Sequence, residues 1–195
     1  MAHGRLLPKG VLAAIGLALL LGGCVTMQVG EHQPSIDTIT ALRNANIVQL
    51  NVGDFSLAKG LDPALDHSIS SRGNPIAPPG KSTFSQYLRD SLINDLKAAG
   101  KFNRASPFTV RGELTDSKLS TGLSNASAAL AARIYVEHEG KTVYDKVLRL
   151  EKSWESSFIG VVAIPEAVNQ YTALYGDLLA QLYADPPFRQ ACTTR

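Results

Sequence analysis

Hydrophobic and polar positions follow two alternating periods along this chain. From Val48 to Val52, within the branched run that begins at Ile47, they exchange at every step. Val48, Leu50 and Val52 fall on one face and Gln49 and Asn51 on the other, the period-two signature of a half-buried strand ending near Gly53-Asp54. At Phe84 the spacing changes. Phe84, Tyr87, Leu88, Leu92, Leu96 and Ala99 recur every three or four residues, with Gln86, Arg89, Asp90, Asn94 and Lys97 opposite, which predicts an amphipathic helix. Ser82 or Thr83 is placed to cap its free N–H groups, and Gly100 to end it.

Period two then returns three times. Phe108, Val110, Gly112 and Leu114 alternate with Thr109, Arg111 and Glu113. Ala128, Leu130, Ala132, Ile134 and Val136 alternate with Ala129, Ala131, Arg133, Tyr135 and Glu137. Between Val143 and Trp154, one face gathers Tyr144, Lys146, Leu148, Leu150, Lys152 and Trp154. The short link across Gly140 makes the last two strands a hairpin. A second helix is expected from about Pro165 to Tyr183, with Val168, Tyr171, Leu174, Tyr175, Leu178 and Leu182 as its apolar stripe. Pro165 suits its first turn, and Asp185-Pro186-Pro187 stops it, with Phe188 folding back.

The order strand, helix, three strands, helix predicts an α+β domain: a two-layer sandwich whose mainly antiparallel four- to five-stranded sheet carries two main helices on one face. The long connection 57–82 would add at most a short edge strand at Ser68 to Arg72. Residues 25–40 lack periodicity and read as a tether, with a helical turn near Ile36 to Asn44.

The N-terminus follows other rules. A basic opening (His3, Arg5, Lys9), an apolar core from Val11 to Leu21 and the small pair Gly22-Gly23 make a secretory signal. A membrane-spanning helix needs about 20 apolar residues, and this core stops at roughly half that. Leu20-Leu21-Gly22-Gly23-Cys24 resembles the lipobox of bacterial lipoproteins. The resemblance implies cleavage between Gly23 and Cys24 and attachment of lipid to Cys24. It also implies more than one acyl chain, at about 0.8 kcal/mol per buried methylene, and so slow release from a membrane. Val25 stands where an Asp would retain such a protein in the inner membrane, so the implied address is the periplasmic face of the outer membrane. The expected division is therefore 1–23 signal peptide, 24–45 lipidated cysteine and tether, and 46–195 a single periplasmic domain.

Charge excludes one class of partner. The chain holds 19 basic and 17 acidic residues, but Arg5 and Lys9 leave with the signal, so the remainder is balanced and the pI of 8.5 overstates its basicity. No run supplies the basic face that nucleic acid requires. With Cys24 acylated, Cys192 has no partner within the chain, and either a plain thiol or a disulfide to another molecule remains open for it.

Candidate chemistry is sparse. Gly80-Lys81-Ser82-Thr83 ends like a phosphate-binding loop, but Pro75 occupies the position of the first glycine. Ser56-Leu57-Ala58-Lys59 fits a Ser-x-x-Lys motif, but follows a strand and lacks its companion motifs. His32, His67 and His138 are scattered, and Glu137-His138-Glu139 alternates faces, so no metal site is expected. No catalytic residue and no cofactor beyond the lipid on Cys24 are predicted. The stretch from Trp154 to Pro165 is apolar for a connection: Trp154, Phe158 and Ile159 either close the core or form an exposed anchor for a protein or lipid partner. Pro78 and Pro79, in the proline-rich loop 73–80, form a second candidate contact.

The lipobox, the strand near Gly53-Asp54, the helix Phe84-Ser85-Gln86-Tyr87-Leu88-Arg89-Asp90 and the run Trp154-Glu155-Ser156-Ser157-Phe158-Ile159-Gly160 together resemble small envelope lipoproteins of the YajG type. What that implies is a non-enzymatic, membrane-anchored accessory or scaffold of an envelope assembly or transport complex, with an envelope protein as partner. A carrier holding a lipid or small molecule between sheet and helices is the alternative; a hydrolase would need a nucleophile–base pair.

Overall fold

A computed structural model describes residues 26–193. Gly23 and Cys24, the expected cleavage and lipidation positions, lie outside the described residues.

The main sheet has the strand order β2 (Asn51–Leu57), β5 (Phe108–Thr121), β6 (Asn125–His138), β7 (Lys141–Glu155). β2 runs parallel to β5, and the other pairs are antiparallel. Helices α2 (Phe84–Ala99) and α3 (Gly160–Ala184) cover one face, and a short α4 (Pro186–Ala191) follows. The α+β layout expected from the periodicity is the one observed. A second, three-stranded sheet orders β1 (Met27–Gln28), β4 (Asn74–Ala77) and β3 (Ile69–Ser71), and α1 spans Ile36–Asn44.

Every member of the two predicted helical stripes is buried. Thr83 caps α2 in a reciprocal capping box with Gln86, and Gly100 closes it in the left-handed conformation. Between the layers Tyr171 meets both Phe84 and Tyr175 edge-on, while Phe84 and Tyr175 lie nearly parallel, and Phe188 folds back onto Tyr144.

Four boundaries differ from the sequence expectation, each for a local reason. β2 does not end at Gly53-Asp54: an extra residue there lets Val52 and Phe55 both face the core, opposite Val110 and Gly112. Upstream, Leu50 meets only Phe102 in an isolated bridge. β5 runs on to Thr121 because a bulge at Thr115 reverses its phase and turns Ser117 inward. α3 begins at Gly160, five residues before the expected start, so Pro165 lies inside the helix rather than in its first turn. The 27–45 stretch carries β1 and α1, with Val29 and Leu42 buried.

The outer face of the sheet is a solvated ladder of ion pairs: Arg111–Glu137, Arg133–Asp145, and Arg149 with Asp116 and Glu151. Water and salt screen such exposed pairs, so they add little to stability.

Candidate functional site

At the end of the domain where β5 turns into β6, two segments carry no charge: residues 119–132 and 156–165 contain no Asp, Glu, Lys or Arg. Three connections converge there. The link between β7 and α3 extends the sheet by one hydrogen bond, Ser156 N–H to Ser124 O at 2.8 Å. The β3–β4 hairpin approaches from the side, with Ser71 Oγ 3.0 Å from Thr121 Oγ1.

Its two-residue turn is Arg72-Gly73, with φ of 50° and 79°. Both residues are left-handed, as a type I′ hairpin turn requires, and Gly73 accepts this without strain whereas Arg72 does not. The guanidinium offsets that. Arg72 Nη2 donates to Gly122 O at 2.6 Å, Ser157 O at 2.8 Å and Ser156 Oγ at 3.1 Å, while Nη1 donates to Phe158 O at 3.1 Å. One side chain thus fastens the hairpin to both other connections. Its Nε, also buried, has no partner among the described residues.

What this fastening presents to solvent is apolar. Exposure reaches 64% for Leu123, 75% for Phe158, 60% for Ile159, 80% for Val161 and 56% for Val162. Phe158 and Ile159 just precede α3, and Val161 and Val162 lie in its first turn. Monomeric soluble proteins seldom display so many large aliphatic groups together without a binding role.

The predicted contact residues therefore separate. Phe158 and Ile159 are exposed, whereas Trp154 is half-buried, on the helix-facing side of β7 opposite Ala126, and packs on the core. Pro78 is buried and Pro79 half-buried behind β4, so the proline loop offers no comparable surface. Val161 and Val162 fall within the singled-out stretch from Trp154 to Pro165 without being named as contacts, whereas Leu123 and the organising role of Arg72 escaped the sequence. Arg72-Gly73-Asn74 between Ile69 and Ile76 was the available signal, a two-residue turn flanked by branched residues.

The motif fragments fall apart in space. Ser56 is exposed on β2 and Lys59 lies in the turn beyond it, while Thr83 spends its hydroxyl on capping. His138 stacks on Phe108, ring centroids 3.8 Å apart. Among the described residues, no three His, Cys, Asp or Glu side chains converge as metal ligands would. No helix there is long and apolar enough to cross a membrane.

Buried polar groups instead tie elements together. His32 Nε2 lies 2.8 Å from Asp95 Oδ1, and Tyr183 OH donates to Asp95 Oδ2 at 2.9 Å, joining the N-terminal stretch to α2 and α3. Burial, then the Asp95 charge, pushes the Tyr183 hydroxyl well above its ordinary pKa. Asp66 accepts from Ser85 N–H and Oγ at 2.7 and 2.8 Å. Ser117 Oγ, Tyr171 OH and Tyr175 OH form a hydrogen-bonded row inside the sheet–helix layer, at 2.7 and 2.8 Å. Burial raises both tyrosines. With these rings and Phe84 filling that layer, a carrier's ligand would have to displace core side chains. Cys192 is fully buried, and burial pushes its thiol up to about 12, far from a reactive thiolate.

No family model matches the chain, and no curated protein matches it. Among solved structures, a Xanthomonas campestris protein of family DUF330 is 16% identical, with a TM-score of 0.49 over 82% of this chain and 91% of that one. A minor lipoprotein from Acinetobacter baumannii is 17% identical, with a TM-score of 0.43 over 75% of this chain and 93% of its own. A shared outline at that level does not imply a shared role.

Proposed function

We propose that this protein is a bacterial envelope lipoprotein, anchored through Cys24 to the periplasmic face of the outer membrane. Its domain serves as a non-enzymatic accessory subunit of an assembly or transport complex. The observation that carries the accessory role is the free edge of β7. This strand of 15 residues pairs with β6 on one side and, among the described residues, with no strand on the other. An edge of that length offers a row of unpaired backbone N–H and C=O groups, the template for accepting a partner's strand. Lys141, Lys146, Arg149, Glu151 and Lys152 along it guard against indiscriminate pairing while leaving a charge-matched strand acceptable.

The test is crosslinking in intact cells from a photoreactive residue at Val143 or Val147, both exposed on β7, with Cys24→Ala as the mislocalised control. One defined partner that requires lipidation, and whose crosslink is weakened by Val147→Asp, is the expected result. Crosslinks confined to copies of the protein itself, or none, would defeat the accessory role. The acylated mass of the Cys24 peptide from the same cells tests the anchor separately.

A further inference from the structure

The position at which the chain enters the domain decides what the apolar end faces. β1 is parallel to β4, with Met27 beside Ile76 and Gln28 beside Ala77. Thr26, the first described residue, therefore precedes β1 on the side of Asn74 and the Arg72-Gly73 turn, the turn that fastens the Phe158 connection. Cys24 lies three residues ahead of Met27, and three residues span at most about 11 Å. Gly73 lies three residues ahead of Ile76 on the paired strand. A lipid on Cys24 is thus tethered by no more than that length to the strand whose partner β4 begins at the Arg72-Gly73 turn, the turn fastened to the connections that bear Leu123, Phe158, Ile159, Val161 and Val162.

We propose that these five side chains enter the interface of the bilayer that holds the Cys24 anchor, so that lipid and apolar end together fix the orientation of the domain on the membrane. This rests on the anchoring at Cys24 proposed above. Two observations, together with the proposed anchor, favour a lipid surface over a protein partner. The side chains are aliphatic with a single Phe, and supply no hydrogen-bonding group to read a partner. The two segments bearing them contain no charge to desolvate. The anchor brings a bilayer to this end without any further recognition. Interfacial segments of this kind sink roughly 5–10 Å, to the boundary between headgroups and acyl chains. The same orientation stands β6 upright. Its 14 residues at about 3.3 Å each place the Glu139-Gly140 turn roughly 45 Å from the opposite end of the strand, and leave the β7 edge open to the periplasm.

The experiment uses the full-length lipidated protein in vesicles of phosphatidylethanolamine and phosphatidylglycerol. An environment-sensitive fluorophore is attached in turn to Val161→Cys and to Lys141→Cys, Cys192 being buried and unlabelled. The label at 161 is expected to shift to the blue and to lose most of its emission when the acyl chains carry bromine. The label at 141, at the far end of the sheet, should do neither. Adding Phe158→Ser and Leu123→Ser should abolish the response at 161. A label at 161 that stays in water, in a preparation whose Cys24 is acylated by mass, overturns the inference, leaves the anchor standing and returns the surface to a protein partner. An unacylated Cys24 removes both.

Discussion

Arg72 is the residue on which the geometry of the apolar end depends, and Arg72→Ala measures how much. The substitution removes four hydrogen bonds, three of them to backbone carbonyls of Gly122, Ser157 and Phe158. A bond from a charged donor contributes about 1.5–3 kcal/mol when desolvated. Arg72 is half-buried, so solvent screening brings each nearer to 1 kcal/mol or less. The summed loss is expected at about 2–3 kcal/mol, or a urea midpoint lower by roughly 1 M for a domain of this size. Backbone strain gives an internal control. At φ of 50°, Arg72→Gly loses the same bonds but relieves the left-handed conformation, so it should be more stable than Arg72→Ala by about 1 kcal/mol. Urea unfolding of the Cys24→Ser chain lacking its signal, followed by Trp154 fluorescence, reads both values. Amide exchange at Ser156 to Ile159 should accelerate well beyond the global change. An Arg72→Ala midpoint within error of the parent, or unaltered exchange there, would refute the assignment of Arg72 as the fastener.

Two further outcomes follow from the core. A Cβ added at Gly112 would run into Phe55 Cε1 and lie 2.7 Å from Cδ1, so Gly112→Ala should cost about 1–3 kcal/mol in urea unfolding, and Phe55→Leu in the same chain should recover part of it. Asp185 is raised by burial, but hydrogen bonds from Lys146 at 2.7 Å and Tyr144 at 2.8 Å, with the Lys146 charge, outweigh this and hold its carboxyl below the ordinary value. Its stabilisation is therefore complete above the unfolded pKa of about 3.9 and is lost as pH falls through the lower folded value. Lys146→Met should flatten the dependence of the urea midpoint on pH below about 5; an unchanged slope would show that the pair contributes no linkage.

The regular elements were legible in the chain because each repeats a simple rule. The stripe from Phe84 to Ala99 specified α2 with both caps, and the alternation through Ala128 to Val136 specified β6 and its hairpin with β7. The lipobox reading, too, belongs to the sequence alone, since Gly23 and Cys24 lie outside the described residues. Local pattern could not locate the bulges. At Gly53-Asp54 and Thr115 the chain breaks period two because Phe55 must meet Gly112 and Ser117 must meet Tyr171, and those partners are 54 or more positions away. Nor could it divide the 154–164 segment. Trp154, Phe158 and Ile159 look equally apolar in sequence. The last inward-facing position of β7, opposite Ala126, draws Trp154 onto the core, while the early start of α3 at Gly160 leaves Phe158 and Ile159 in solvent. Arg72 read as one residue of a long connection. Only the folded chain brings Gly122, Ser157 and Phe158 to its guanidinium, because hydrogen bonds spanning 50, 85 and 86 positions exist only once the sheet has closed.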